Sequence, residues 1–183
     1  MRLSRSSFVI GTAIALLQAQ VAHAQANAAG CLNETEVNAL VGYALPSVID
    51  GAMTACRPHL APTGFFATRG SEFAGRYASR RVANWPGAKS AFLKLGSAKD
   101  PSMSKTIGAL PDSALQPFVD AMVSELVGDE IKPGQCIAIE RGVRILSPLP
   151  AENTAELITF VLVLSDKPKP GKASAIPICK VAN

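Results

Sequence analysis

The sequence predicts a mostly α-helical protein, folded as a single compact domain that two disulfides brace. Three observations indicate this class. Apolar residues make up 48% of the 183 residues, which is enough for a proper core. Many of them recur at steps of three and four, in segments that follow a capping residue and stop at glycine or proline. The chain also contains an even number of cysteines: Cys31, Cys56, Cys136 and Cys179.

The N-terminal segment is typical of a secretory signal peptide. Arg2 and Arg5 precede an apolar run from Phe8 to Leu17, and an Ala-x-Ala sequence ends at Ala24. A charged start, about ten apolar residues and a small-residue cleavage site define such a leader. We therefore predict a signal peptide over residues 1–24, a flexible leader over 25–30 and a single helical domain over 31–183.

This leader predicts a bacterial periplasmic or secreted protein. It lacks the paired arginines of a twin-arginine signal, which favours general secretory export. Polar residues separate Cys31 from the apolar run, so we expect no lipid anchor at Cys31. The last strong apolar run, Ile158 to Leu164, has only seven residues. A membrane span needs about 20, so none is predicted in the mature chain.

The first predicted element is a helical hairpin. Asn33 and Glu36 have the spacing of a capping box, so a helix begins there and runs to about Ala44. Pro46 then forces a break or restart, and a second helix follows over residues 47–57. If the break is a turn, two helices of roughly 18 Å pack antiparallel and Cys56 meets Cys31. If Pro46 only kinks the chain, the same two cysteines lie more than about 30 Å apart.

We favour the turn at Pro46. This choice sets the predicted disulfide pairing as Cys31–Cys56 and Cys136–Cys179. An exported protein with four cysteines and no Cys-x-x-Cys motif favours two disulfides over a redox motif or a zinc site.

Prolines and glycines divide the middle of the chain. Pro58, Pro62 and Gly64 mark a connection, and a helix over residues 71–82 then carries Phe73, Tyr77 and Val82 near one face. Further expected features are a break at Trp85-Pro86, a helix from Pro86 to Gly96, a short helix from Pro101 to Leu110 capped by Asp100, and an amphipathic helix from Asp112 to Gly128. The apolar positions of the last helix are Leu115, Phe118, Val119, Met122, Leu126 and Val127.

Residues 136–164 allow two interpretations. Ile137, Ile139, Val143 and Ile145 fit a β-hairpin, which would make the protein α+β. On a helix, Ile139, Val143 and Leu146 form one stripe, and the two prolines at 148 and 150 end it abruptly. We favour the helix. The segment from Thr154 to Leu164 is apolar enough for a buried helix or a central strand, and Lys167 to Gly171 is an expected exposed loop.

Several chemistries are excluded by what the mature part of the sequence lacks. His59 is its only histidine, which excludes a His-rich metal site within one chain. There is no Gly-x-Ser-x-Gly elbow and no glycine-rich phosphate-binding loop, so we expect no cofactor and no nucleotide. Ser102 and Lys105 match a Ser-x-x-Lys spacing without its companion motifs. Removal of two leader arginines from 18 basic residues leaves 16 against 14 acidic, which gives no argument for nucleic acid.

A cluster of arginines is the most suggestive candidate site. Arg76 and Arg80 stand at i, i+4 on the predicted helix, Arg81 lies beside Tyr77, and Arg69 precedes them. Such a face suits anionic groups: lipid phosphates, lipopolysaccharide or an acidic partner. An ordinary basic surface helix with its aromatic residues packed inward is the alternative.

These observations favour a non-catalytic binding or structural role in the cell envelope. The partner would be an unknown envelope protein or an anionic surface, contacted through Arg76, Arg80 and Arg81. The sequence shows no convergent acid, base and nucleophile. The alternative is a small periplasmic hydrolase or lyase whose carboxylates and arginines are dispersed along the chain.

Overall fold

The protein is all-α in the part of the chain that the structure describes. A computed structural model describes residues 30–165 and 176–179, and the predicted mostly-α class is confirmed there. The seven helices are α1 (Glu34–Cys56), α2 (Phe65–Gly75), α3 (Ala78–Lys99), α4 (Pro101–Gly108), α5 (Asp112–Glu130), α6 (Cys136–Leu146) and α7 (Ala151–Ser165). The predicted signal peptide, the leader apart from Gly30, and the loop at 167–171 lie outside the described residues.

Helix α1 is the centre of the fold. Its start is the predicted one: the Asn33 side chain accepts a hydrogen bond from the Glu36 amide at 2.9 Å, and the Glu36 carboxylate accepts one from the Asn33 amide at 2.8 Å. Helices α2, α3, α5, α6 and α7 contact its sides, α3 and α5 most extensively, and α4 packs on α3. Core residues of α1 include Val37, Tyr43 and Ile49.

The predicted break at Pro46 is wrong. Helix α1 is a single helix of 23 residues that continues through Pro46. A proline inside a helix costs about 3 kcal/mol or more, through a lost hydrogen bond and a clash with the preceding turn. Buried side chains on both sides of Pro46, among them Tyr43, Leu45 and Ile49, offset this cost by packing against the surrounding helices. A pattern in one segment cannot show that compensation.

The predicted disulfide pairing is wrong for the same reason. The 23 residues of α1 span about 35 Å, which separates Cys31 from Cys56. Cys31 instead pairs with Cys179, with Cα atoms 5.0 Å apart, and Cys56 pairs with Cys136, with Cα atoms 5.3 Å apart. The expectation of two disulfides from four cysteines is confirmed.

A short parallel bridge lies beside the first disulfide. The Leu32 amide donates to the Pro177 carbonyl, and the Cys179 amide donates to the Leu32 carbonyl, both at 2.8 Å. Leu32 is fully buried in a cluster with Val37 and Ala91. The two ends of the described chain are therefore joined by backbone hydrogen bonds as well as by sulfur.

The boundary between α2 and α3 differs from the prediction. The chain breaks at Arg76 and Tyr77 and then runs through Pro86 as one helix to Lys99. Phe73 and Tyr77 are buried as predicted, but Val82 is 82% exposed. Trp85, on the turn before Pro86, packs on Tyr43 with ring centroids 4.8 Å apart, and this core contact holds the helix together across the proline.

The later helices follow the prediction more closely. Asp100 caps α4 by accepting from the Ser102 and Met103 amides, and α5 begins at Asp112. Leu115 and Val119 of α5 are buried, whereas Phe118 and Leu126, predicted on the same apolar stripe, are exposed. Residues 136–146 and 151–165 are helical, so the favoured interpretation of that region is confirmed.

Within the described residues, one helix is long and apolar enough to cross a membrane by length and composition alone. It comprises α1 and the following 3-10 turn, Glu34–His59, and half of its apolar window is buried inside the fold. Burial of that kind is what a core helix of a soluble domain also shows, so the match is weak support for a span.

Candidate functional site

The four predicted anion-binding arginines do not form one free face. Arg69 pairs with Glu72 within α2 at 2.9 Å. Arg76 donates to the Ser147 carbonyl at 2.8 Å, and its guanidinium lies 5.0 Å from the centre of the Phe73 ring. Arg80 pairs with Glu152 of α7 at 2.9 Å. Each of these arginines therefore contacts an acceptor of its own chain.

Arg81 turns inward and belongs to a polar cluster that links three helices. It pairs with Asp120 of α5, donates to the Tyr43 hydroxyl at 3.0 Å and lies over the Tyr43 ring. Ser47 of α1 donates to the same Asp120 carboxylate at 3.1 Å. Burial raises the pKa of Tyr43, so its hydroxyl stays protonated. Helices α1, α3 and α5 each contribute side chains to this cluster. It therefore fixes the positions of these three helices relative to one another.

The remaining single-residue candidates are on the surface. His59 is exposed at the end of the 3-10 turn after α1. Ser102 donates to the Asp100 carboxylate at 2.7 Å, and both Ser102 and Lys105 are exposed. The described residues contain no group of three or more His, Cys, Asp or Glu that could hold a metal ion.

Helix α7 presents an apolar surface to solvent. Its exposed residues are 41–60% accessible and recur at i, i+3, i+4 and i+7: Leu157, Phe160, Val161 and Leu164. At 100° per residue they occupy about a 100° sector of the helix. A surface helix normally turns such a stripe towards the core. We call these four residues the α7 apolar face.

The side of α7 that faces the core carries three buried small residues, with Ile158 and Leu162 partly buried beside them. Thr154, Ala155 and Thr159 are buried against the core. The Thr154 hydroxyl donates to the Pro150 carbonyl at 3.1 Å, and the Thr159 hydroxyl donates to the Asn38 side-chain oxygen of α1 at 3.3 Å. These satisfied hydroxyls let α7 lie close to α1, and Ile158 and Leu162 pack on the core beside them. The residues of the α7 apolar face lie on the opposite side of the helix.

An acidic groove borders the α7 apolar face. It lies between the start of α1 and α7, has a volume of about 440 Å³, and is lined by Glu34, Thr35, Asn38, Glu156, Thr159 and Phe160. Neither Glu34 nor Glu156 forms an ion pair within the described residues. Carboxylates beside an aromatic ring suit a cationic side chain, through charge and through contact with the ring.

A second cavity among the described residues is small and mostly apolar. It has a volume of about 130 Å³ between α3 and α4, where Phe92, Leu93, Met103 and Ile107 are among its lining residues. Asp100 and Ser104 also line it, but their side chains are hydrogen-bonded to the amides that begin α4 and to the Leu93 carbonyl.

The sequence contains one signal that indicates the α7 apolar face. From Leu157 to Leu164 seven of eight residues are apolar, so the helix is apolar on most of its sides. A helix of that kind either lies in the middle of a core or has a partner on its second side. The acidic groove had no sequence signal, because Glu34 and Glu156 lie more than a hundred positions apart.

Comparisons with known proteins find no matching family model, no similar curated protein and no similar solved structure.

Proposed function

We propose that this protein is a non-catalytic binding component of the bacterial cell envelope, and that it holds its partner on the α7 apolar face. The observation that carries the proposal is the orientation of α7: four large apolar side chains point outward, while Ile158, Leu162 and two buried threonines make its contacts with the core. A contiguous exposed apolar stripe of this kind marks an interaction surface.

The free energy available from covering this surface is substantial. Full burial of a Val, Leu or Phe side chain contributes about 1.5–3 kcal/mol relative to exposure. The four side chains are about half exposed, so a partner would gain roughly 1 kcal/mol at each. Rotation of α7 to bury these four side chains would withdraw Ile158 and Leu162 from the core and break the hydrogen bond from Thr159 to Asn38.

Two features support the compartment. The chain begins with a charged segment, an apolar run and an Ala-x-Ala site. All four cysteines form disulfides, which persist in the periplasm and outside the cell. We therefore place the binding function in the periplasm or outside the cell.

The geometry supports binding better than the hydrolase or lyase alternative. A general acid needs a carboxyl group whose pKa is raised towards neutrality. In the described chain three carboxyl groups have a displaced pKa, and in each of them hydrogen bonds at the surface lower that pKa: Asp100, Asp112 and Glu152. The arginines predicted to bind anions support the proposal less strongly, because each of them already contacts an acceptor of its own chain.

Photocrosslinking in cells that export the protein tests this function. Benzoylphenylalanine placed at Val161 should give covalent adducts in the envelope fraction after irradiation. The same group at Val82, an 82% exposed valine on α3, is the matched control and should give far less. Equal labelling from both positions, or no adduct from position 161, would contradict a binding role for α7.

A further inference from the structure

We propose that the partner of the α7 apolar face is a second copy of this chain, and that α6 of one copy packs on α7 of the other. This inference rests on the proposed function and names its occupant. It follows from the order of the two helices along α1 and from the complementary character of their outer faces.

Helices α6 and α7 lie end to end along one side of α1. Cys136, the first residue of α6, is bonded to Cys56 at the end of α1. Val143 of α6 and Ile158 of α7 both pack on the cluster around Leu45 and Ile49. Leu162 packs near Val37 at the start of α1. The two helices therefore run in tandem, antiparallel to α1.

The outer face of α6 is apolar at its ends and basic between them. Ile137 and Ile145 are 73% and 63% exposed, and Arg141 and Arg144 are exposed between them. At 100° per residue these four side chains share about a 100° sector. We call them the α6 basic face. Neither arginine forms an ion pair in the described part of the chain.

The carboxylate next to Arg141 on α6, that of Glu140, already has a hydrogen-bond partner. Glu140 accepts a hydrogen bond from the Phe66 amide at 2.9 Å, at the start of α2. It therefore points towards α2, and the two arginines keep their charge for another partner.

The α7 apolar face and the acidic groove beside it are complementary to the α6 basic face. The four apolar residues stand next to the groove that holds Glu34 and Glu156, two carboxylates without a cation in the described chain. The apolar spans also match: Ile137 to Ile145 covers about 12 Å along α6, and Leu157 to Leu164 covers about 10.5 Å along α7.

A twofold axis satisfies both faces at once. Because α6 and α7 follow each other in a row, rotation about an axis near residues 147–150 lays α6 of each copy on α7 of the other. Such an interface is isologous, so both contacts form in one closed dimer and no open filament results. Arginine then lies opposite glutamate in both contacts, and the association should weaken as salt screens the charges.

The first experiment measures the mass of the oxidised, exported full-length gene product by sedimentation and light scattering. We expect a dimer at micromolar concentration. Val161→Asp should raise the dimer dissociation constant at least about tenfold, since it removes apolar contact from the middle of the interface and requires a charged side chain to be desolvated there. Val82→Asp is the control and should leave the dimer intact. Circular dichroism and thiol titration confirm that each variant is folded and oxidised.

The second experiment exchanges the charges. Arg141→Glu/Arg144→Glu and Glu34→Arg/Glu156→Arg each place like charges opposite one another, so each double variant alone should be monomeric. In an equimolar mixture every glutamate faces an arginine again, and we expect the heterodimer to form. A merely misfolded variant would not be rescued by the other.

The outcomes separate this inference from the proposed function. A wild-type monomer at about 100 μM, or a dimer unaffected by Val161→Asp and by the charge exchange, overturns the second-copy proposal. If the monomer binds anionic vesicles, or if adducts from position 161 differ in mass from two chains, the inference fails and the binding role stands. Absence of any adduct at 161 removes the binding role itself.

Discussion

At the scale of single residues, the helix starts were the most predictable features. Asn33 with Glu36, and Asp100 before Pro101, are local patterns, because a capping side chain bonds to amides two or three residues away. Both caps are present as predicted. The charged side chains were less predictable, since Arg76, Arg80 and Arg81 find their partners on segments remote in sequence.

The Asn33 cap should contribute measurably to stability. Asn33→Ala removes the acceptor for the Glu36 amide and should cost about 1 kcal/mol. For a chain of this size that lowers Tm by roughly 2–4 °C. Thermal unfolding followed by circular dichroism measures the change. Asn33→Ser, which retains a capping oxygen, should keep most of the stability, and equal losses in both variants would argue against the cap.

Protonation of Asp112 should make the stability of the protein fall at acidic pH. The hydrogen bond from Lys89, at 2.7 Å, lowers the pKa of Asp112 in the folded protein. The contribution of ionised Asp112 to the free energy of unfolding is therefore complete above the pKa of the unfolded state, about 3.9. It is lost as pH falls through the lower pKa of the folded state. Tm measured from pH 7 to pH 2 should fall less steeply in Asp112→Asn than in wild type.

The control for this measurement is Asp129→Asn, at an exposed position with no ion pair in the described chain. It should reproduce the wild-type acid dependence. An unchanged acid dependence in Asp112→Asn would contradict the role of the Lys89 contact.

At the scale of elements, the spacing between α1 and α5 depends on a glycine. A Cβ atom at Gly51 would meet the backbone carbonyl oxygen of Ser124. Gly51→Ala should therefore push the two helices apart and cost about 1–3 kcal/mol. Denaturant unfolding measures this cost.

Gly142 of α6 is the matched control, because a Cβ atom there has no neighbour within 4 Å. Gly142→Ala should gain up to about 1 kcal/mol from helix propensity alone. A loss of stability at both glycines would show that the effect at Gly51 does not come from its contact with Ser124.

The sequence predicted the kinds of elements better than their boundaries. The all-α class, the start of α5 and the helical state of 136–146 follow from periodicity and caps, whereas the segment from Thr154 to Leu164 fitted a helix or a strand equally well. The predicted breaks at Pro46 and Pro86 failed, because tertiary packing of Tyr43 and Trp85 outweighs a local penalty. The orientation of α7 was also beyond local patterns: seven apolar residues in eight do not show which side a helix buries.

At the scale of the whole molecule, the disulfides connect distant parts of the chain. Their sequence separations are 148 residues for Cys31–Cys179 and 80 residues for Cys56–Cys136. Long loops of this kind lose the most entropy in the unfolded state. One bond holds the two ends of the described chain, and the other holds the end of α1 to α6.

Removal of the buried disulfide should be strongly destabilising. On the chain-entropy model, Cys56→Ala/Cys136→Ala loses about 4.5 kcal/mol, and Cys31→Ala/Cys179→Ala loses about 5 kcal/mol. Chemical denaturation of each double variant measures these losses. Peptide mapping without reduction should recover the 31–179 and 56–136 pairs, and a 31–56 peptide would contradict the fold of α1.

The Cys31–Cys179 bond has a mechanical consequence. Cys31 and Cys179 lie near the two ends of the described residues and are joined by a single covalent link, next to the Leu32–Ile178 bridge. Tension applied between the two termini passes through sulfur and bypasses the helices. An envelope component pulled at both ends would keep its shape under load until a reductant opened that link.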